Sequence, residues 1–240
     1  YPAYAALADR AIVLLEEGRE SPFDEVRRTI RYRIEPVSQA GIVPRVQSLR
    51  IDGHSYTIAS SSRGIAVNAA LAIVAARELG VAGADIRAGI EAWRPSGDRG
   101  RIATQGAQTF YIDCYNANPS SMADALDAFV RSAPQAVARY YILGAMNELG
   151  ETGAQKHAAV GGLLDLRPED RAAFVGPAPL TEAYESGALA AGADPAQLQR
   201  AENIEKIKST VAPFAGAIFL KGSRNYRLEL LVPEQLCSLT

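Results

Sequence analysis

The chain has 240 residues, 48% hydrophobic and 22% charged, a balance that excludes a disordered polymer. A formal net charge of −2 and an isoelectric point near 5.8 exclude a general nucleic-acid binder, and no apolar run approaches the roughly 18 residues of a membrane helix. Two cysteines, Cys114 and Cys237, exclude a disulfide framework, and with only two histidines they argue against a His/Cys metal site.

Nothing at the start reads as a signal peptide, so the expected location is a reducing cytoplasm. The first residue is Tyr1, so the sequence is expected to begin inside a longer or processed chain. "TIRYRIEPV" and "RVQSLRIDGHSYTIAS" alternate as strands do, with Asp52-Gly53 as a hairpin turn. "GIAVNAALAIVAARELG" is too long for a strand, is rich in alanine and stops at a glycine, which predicts a helix. "ADIRAGIEAW" predicts a second helix with Asp85 in its first turn, and "RPSGDRGRIATQGAQ" reads as a linker.

From residue 104 onward strands and helices alternate. "TFYIDCY", "ARYYILGA" and "RAAFVG" are each followed by a helical stretch, "NIEKIKSTVAPF" reads as one helix, and "AIFLKGS" and "YRLELLV" close as strands. The fold class is therefore α/β, with a mostly parallel sheet covered by helices on both faces. Ligands of such sheets bind beyond the carboxyl ends of the strands, where the Asn-Ala-Asn loop, "LGAMNELG" and "LKGSRNY" all fall. In "DCYNANPSSM", Ser120 or Ser121 is expected to cap the next helix and Pro119 to start it. Capping needs one polar residue, yet Asp113, Tyr115, Asn116 and Asn118 crowd this loop.

Four blocks carry a resemblance. "VNAALAIVAARELGV", "PSGDRGRI", "DCYNANPSSM" with "YILGAMNELGETGAQKHAAVG", and "FLKGSRNYRLELLV" resemble, in order and spacing, the motifs of the Mur ligase family. The resemblance spans roughly Arg63 to Val232. It implies residues 1–103 as the later part of an incomplete α/β ATPase-type domain and 104–240 as a Rossmann-like C-terminal domain. It also implies ATP and Mg2+ as cofactors, an acyl phosphate formed on a UDP-muramoyl-peptide, and D-alanyl-D-alanine as the attacking amine. By the same resemblance Asn68 lies near adenine and Arg99 near the ribose or phosphates. Asp113, Tyr115, Asn116 and Asn118 complete the nucleotide site, and Lys221, Ser223 and Arg224 form a loop near the incoming dipeptide.

Each of these residues also has an ordinary structural reading. Asn68 suits a buried polar position, Arg99 beside Asp98 and Arg101 suits a solvated surface, and Lys221 with Arg224 suits surface charge. His157 reads as a structural residue, and Cys114 as a packed one without a base partner.

The family pattern also fails in places. Gly64 stands where a histidine is expected, Ala145 where an aspartate is, and Ile112 where a doubled aspartate would begin. No Gly-Lys pair occurs, so the sequence holds no phosphate loop, and the family's magnesium-binding glutamate and catalytic lysine are expected upstream. "YPAYAALADRA" resembles the stretch that follows that region. Three competing readings remain: a ligase acting on another carboxylate, a degenerate binding module without catalysis, and, ranked last, a dinucleotide-binding oxidoreductase lacking its glycine fingerprint.

Overall fold

A computed structural model of the chain describes residues 12–20, 28–36, 47–95 and 97–237. The opening "YPAYAALADRA" lies outside them, as does the side chain of Cys237. The chain divides into two units, Tyr1–Arg94 and Pro95–Thr240. This division falls earlier than the 103/104 boundary read from the sequence.

In the first unit β1 (Ile12–Glu16) pairs parallel with β2 (Arg28–Pro36), and β3 (Gln47–Ile51) and β4 (His54–Ile58) continue the sheet antiparallel. The turn between β3 and β4 is the expected one: Asp52 and Gly53 both have positive φ, 47° and 77°, as a two-residue hairpin loop requires. Alternation buries Ile30, Tyr32, Leu49, Ile51, Tyr56 and Ile58 on one face. That face is covered by α1 (Arg63–Glu78), through Ala66, Ala70, Ile73 and Val74, and by Ile86 of α2 (Gly83–Ala92). Small residues on α1 let the helix lie close to the branched side chains of the sheet. β1 had no counterpart in the sequence reading.

The second unit is a six-stranded sheet in the order β5-β6-β10-β7-β8-β9. β5 (Arg101–Gln105) pairs antiparallel with β6 (Gln108–Asp113). The other neighbours, β10 (Gly216–Lys221), β7 (Arg139–Gly144), β8 (Arg171–Val175) and β9 (Leu198–Ala201), are parallel. The stretch read as a linker therefore contains a strand, and its pairing to β6 draws the boundary towards the N-terminus.

Each central strand buries both its faces. Tyr111, Tyr141, Phe174 and Phe219 pack with α3 (Pro119–Ser132), α4 (Gly153–Gly161) and α5 (Ala178–Ala190), and the rings of Tyr111 and Phe219 stack at 5.6 Å. Phe110, Ile112, Tyr140, Ile142, Ile218 and Leu220 face the other way. They are covered by α6 (Lys208–Val211), the short helix α7 (Glu234–Cys237) and the turns between. The mostly parallel sheet with helices on both faces is thus as expected.

Two elements differ. "NIEKIKSTVAPF" is a 3-10 turn at Ile204–Lys206 followed by the four-residue α6, broken at Ile207, whose φ is −118°. "YRLELLV" is not a strand. Arg227 is left-handed with φ 53°, and two 3-10 turns, Arg224–Tyr226 and Leu228–Leu231, fold Leu228 and Leu231 under the sheet. Its apolar residues bury without pairing, because the ladder positions beside β10 are already taken by β6 and β7.

Candidate functional site

Because β10 lies between β6 and β7, the carboxyl ends of all three strands sit side by side. Register places Lys221 directly opposite Asp113. The Lys221 Nζ lies 2.6 Å from Asp113 Oδ2 and donates to the Asn116 carbonyl at 3.1 Å. Lys221 is 1% exposed, so this is a buried ammonium rather than surface charge. A buried charge persists only when paired and hydrogen-bonded. The lysine therefore ties the strand end to the far side of the loop, with Cys114 and Tyr115 between the two ties.

Beneath the loop, Cys114 is buried and its thiol donates to the Leu220 carbonyl at 3.5 Å. Burial pushes its pKa well up, so it stays a packed thiol, not a nucleophile. Asn118, not Ser120 or Ser121, is the N-cap of α3. Its Oδ1 accepts from the Ser121 N–H at 2.9 Å, and the Ser121 hydroxyl accepts from the Asn118 N–H at 3.1 Å. Pro119 at the first helical position fixes that phase, because the residue before it is extended. The Asn116 Oδ1 accepts from the Ala117 N–H at 2.8 Å. Both asparagine oxygens are thus used within the loop.

Tyr115 is 46% exposed, with the Arg99 guanidinium 3.7 Å and the Arg224 guanidinium 5.5 Å from its ring centroid. Ser223 is buried, and its hydroxyl accepts from the Asn147 N–H at 3.0 Å while its own N–H donates to the Ala145 carbonyl at 3.2 Å. The motif glycines allow this. A Cβ on Gly222 would lie 2.6 Å from the Gly144 Cα, so the two loops meet backbone to backbone.

Asn147 donates to Asn225 Oδ1 at 2.8 Å and accepts from the Tyr226 hydroxyl at 3.4 Å. Sequence reasoning named none of these three, although each stands inside a quoted motif. His157 is 0% exposed; its Nε2 accepts from the Met146 N–H at 2.9 Å and its Nδ1 lies 2.6 Å from the Gly153 carbonyl. This fixes a neutral imidazole with the proton on Nδ1, and burial holds its pKa below the ordinary histidine value. Ala145 is buried, and a Cβ on Gly176 would lie 2.9 Å from its own. Asn68 belongs to the first unit, exposed on α1 rather than buried. Among the described residues no helix is long and apolar enough to cross a membrane.

Residues 99–224, a little over half of the chain, match the family described as Mur ligase, glutamate ligase domain. The chain belongs to the Mur ligase family. Over 95 residues it is 40% identical to the UDP-N-acetylmuramoyl-tripeptide–D-alanyl-D-alanine ligase of Treponema pallidum, covering 40% of this chain and 20% of that one. In fold it is similar to MurF from Acinetobacter baumannii, with a TM-score of 0.70 at 22% identity over 93% of this chain and 51% of that structure. It is also similar to the MurF ligase of Thermotoga maritima solved in complex with ADP, with a TM-score of 0.65 at 18% identity over 85% and 47% of the two chains. The chain thus spans a fifth of the matched curated relative and about half of the matched structures. The Mur ligase match begins at Arg99 and ends at Arg224, the two residues whose guanidiniums lie near the Tyr115 ring.

Proposed function

We propose that the chain is the later part of an ATP-dependent Mur ligase that joins D-alanyl-D-alanine to a UDP-N-acetylmuramoyl-tripeptide through an acyl phosphate. In this reading the first unit is the end of the ATP-binding domain, carrying Asn68 towards adenine, and the second is the C-terminal domain. The observation that carries it is the Lys221–Asp113 tie, which makes one edge of the Asp-Cys-Tyr-Asn-Ala-Asn and Lys-Gly-Ser-Arg loops. A domain with a purely structural role has no need of both motifs at one strand end.

The residues present suit ATP: the Arg99 and Arg224 guanidiniums beside the half-exposed Tyr115 ring, with no ion pair to either among the described residues, can take phosphate oxygens. Among the described residues no three His, Cys, Asp or Glu side chains gather to hold an ion by themselves, and Mg2+ with ATP takes its ligands largely from phosphates and water. No step is assigned to a metal here. Bound ATP supplies the phosphoryl group that activates a carboxylate. The chain's own part is to bind and orient: Asp113, Tyr115, Asn116 and Asn118 with Arg99 on the nucleotide, and the Ser223–Arg224 turn towards the amine. Lys221 acts through Asp113 and the Asn116 carbonyl, as a positioning residue. Such alignment is the larger part of catalysis in phosphoryl transfer.

The test uses the complete protein as its host makes it. Phosphate release from ATP is expected only when the UDP-muramoyl-tripeptide and D-alanyl-D-alanine are both present. Release indifferent to either substrate overturns the assignment, and no release at all favours the degenerate binding module.

A further inference from the structure

Among the described residues three side chains that carry charge are buried: Lys221, Asp170 and Arg139. Lys221 has Asp113, and Asp170 has Arg167, whose Nη2 lies 2.7 Å from Oδ1 and whose Nε lies 3.0 Å from Oδ2. Arg139 has no such partner. What Asp170 takes from Arg139 is the backbone N–H, at 2.8 Å, while its charge is committed to Arg167. The Arg139 guanidinium reaches the Val130 carbonyl at 3.5 Å and Gln135 Oε1 at 3.4 Å, both at the outer edge of hydrogen-bonding range. The residue is nevertheless 4% exposed. A guanidinium cannot shed its proton, so burial leaves it charged and short of a counter-charge.

A second group stands beside it. The Arg139 Nε and the Tyr141 hydroxyl are both buried, and among the described residues neither makes a hydrogen bond of ordinary geometry. As alternate residues of one strand they share a face of β7, where Phe129 of α3 meets the Tyr141 ring edge-on at 5.3 Å. Burial pushes the Tyr141 pKa up, and the Arg139 guanidinium works against that rise, as a cation next to the hydroxyl does. Buried donors are paired almost everywhere in folded proteins, so two unpaired ones at one spot point to a ligand between them.

We propose that Arg139 and Tyr141 bind a small monovalent anion of the halide class, chloride above all, at the amino end of β7. One uncompensated charge calls for one opposite charge. An N–H and an O–H from two residues suit a spherical acceptor, which takes donors from any direction. Stripping water from an ion costs more the higher its charge, so a buried site favours a halide over phosphate or sulfate. The site lies at the far end of the strands from the nucleotide loop: Arg139 pairs with Ala217 near the start of β10, whereas Lys221 ends that strand. It is therefore independent of the ligase reading. The bound ion neutralises the guanidinium that spans from β7 to Val130 of α3, and it stabilises the folded chain by linkage.

The probe is chloride itself. Thermal midpoints of the 240-residue chain are followed as sodium gluconate is exchanged for sodium chloride at constant ionic strength and pH. The midpoint of the unaltered chain is expected to rise with chloride. Tyr141→Phe keeps the ring and its packing, and should need about tenfold more chloride for the same rise, the size of one hydrogen bond to a charged group. The variant shares any general response to the salts, so the difference between the two isolates the bound ion. Arg139→Met should abolish the response. If that variant does not fold, broadening of the chloride nuclear resonance by the unaltered chain, reversed by bromide and reduced by Tyr141→Phe, decides in its place. The site is overturned if the midpoint of the unaltered chain ignores the exchange, since solvent then serves the two donors. It is equally overturned if Tyr141→Phe answers chloride as the unaltered chain does.

Discussion

An ammonium that is 1% exposed depends on its carboxylate more than the pair depends on being an ion pair. Asp113→Ala strands the Lys221 charge and is expected to cost about 3–5 kcal/mol. Lys221→Met with Asp113→Ala removes both charges at similar volume and should recover much of that loss. Urea unfolding of the single and double variants measures the coupling; losses that simply add would show that the pair is not a closed unit. The sequence showed the chemistry of these residues but not their burial. Lys221 beside Arg224 reads as surface charge because its partner stands 108 positions away in the chain. The capping role of Asn118 was also missed: the serines that follow are good caps, and Pro119 decided between them.

At the scale of elements, α4 and α5 touch backbone to backbone. A Cβ on Gly187 would lie 1.9 Å from the Ala158 carbonyl oxygen, and one on Gly161 would lie 2.0 Å from that of Tyr184. In an exposed helix interior, glycine to alanine gains up to about 1 kcal/mol from propensity. Gly187→Ala should reverse that sign and lower the thermal midpoint, because the two helices must separate; a raised midpoint would mean they yield freely. Most elements were legible because alternation and helical length are local signals. β5 and β9 were not, being short edge strands with polar residues, and polarity is how edges are kept from pairing further. "YRLELLV" deceived in the opposite sense: its apolar spacing resembles a strand, but a left-handed Arg227 and an occupied sheet turn it under the core.

For the whole molecule, acid should find His157 first. An exposed imidazole in the unfolded chain titrates near 6.5, whereas burial holds the folded value lower. As pH falls the unfolded state takes up this proton before the folded one, so the stability due to neutral His157 is complete above about 6.5 and declines below it. Comparing thermal midpoints of the parent and His157→Gln between pH 7.5 and 5.5 cancels the carboxylates common to both. The parent should lose more than the variant over that range, and parallel curves would refute the linkage. The alternating pattern made the layered α/β architecture readable, but strand order is a long-range property that no local pattern encodes. β10, the last strand in the sequence, fills the centre of the sheet between β6 and β7. During synthesis, at roughly 5–20 residues per second, β6 and β7 leave the ribosome several seconds before the strand that joins them. Over that interval the nascent sheet has an open slot lined by two unpaired parallel edges, a ready template for another chain. A ribosome stalled ahead of Gly216 should therefore hold a product dependent on chaperones, and one stalled well beyond Lys221 a product that resists protease.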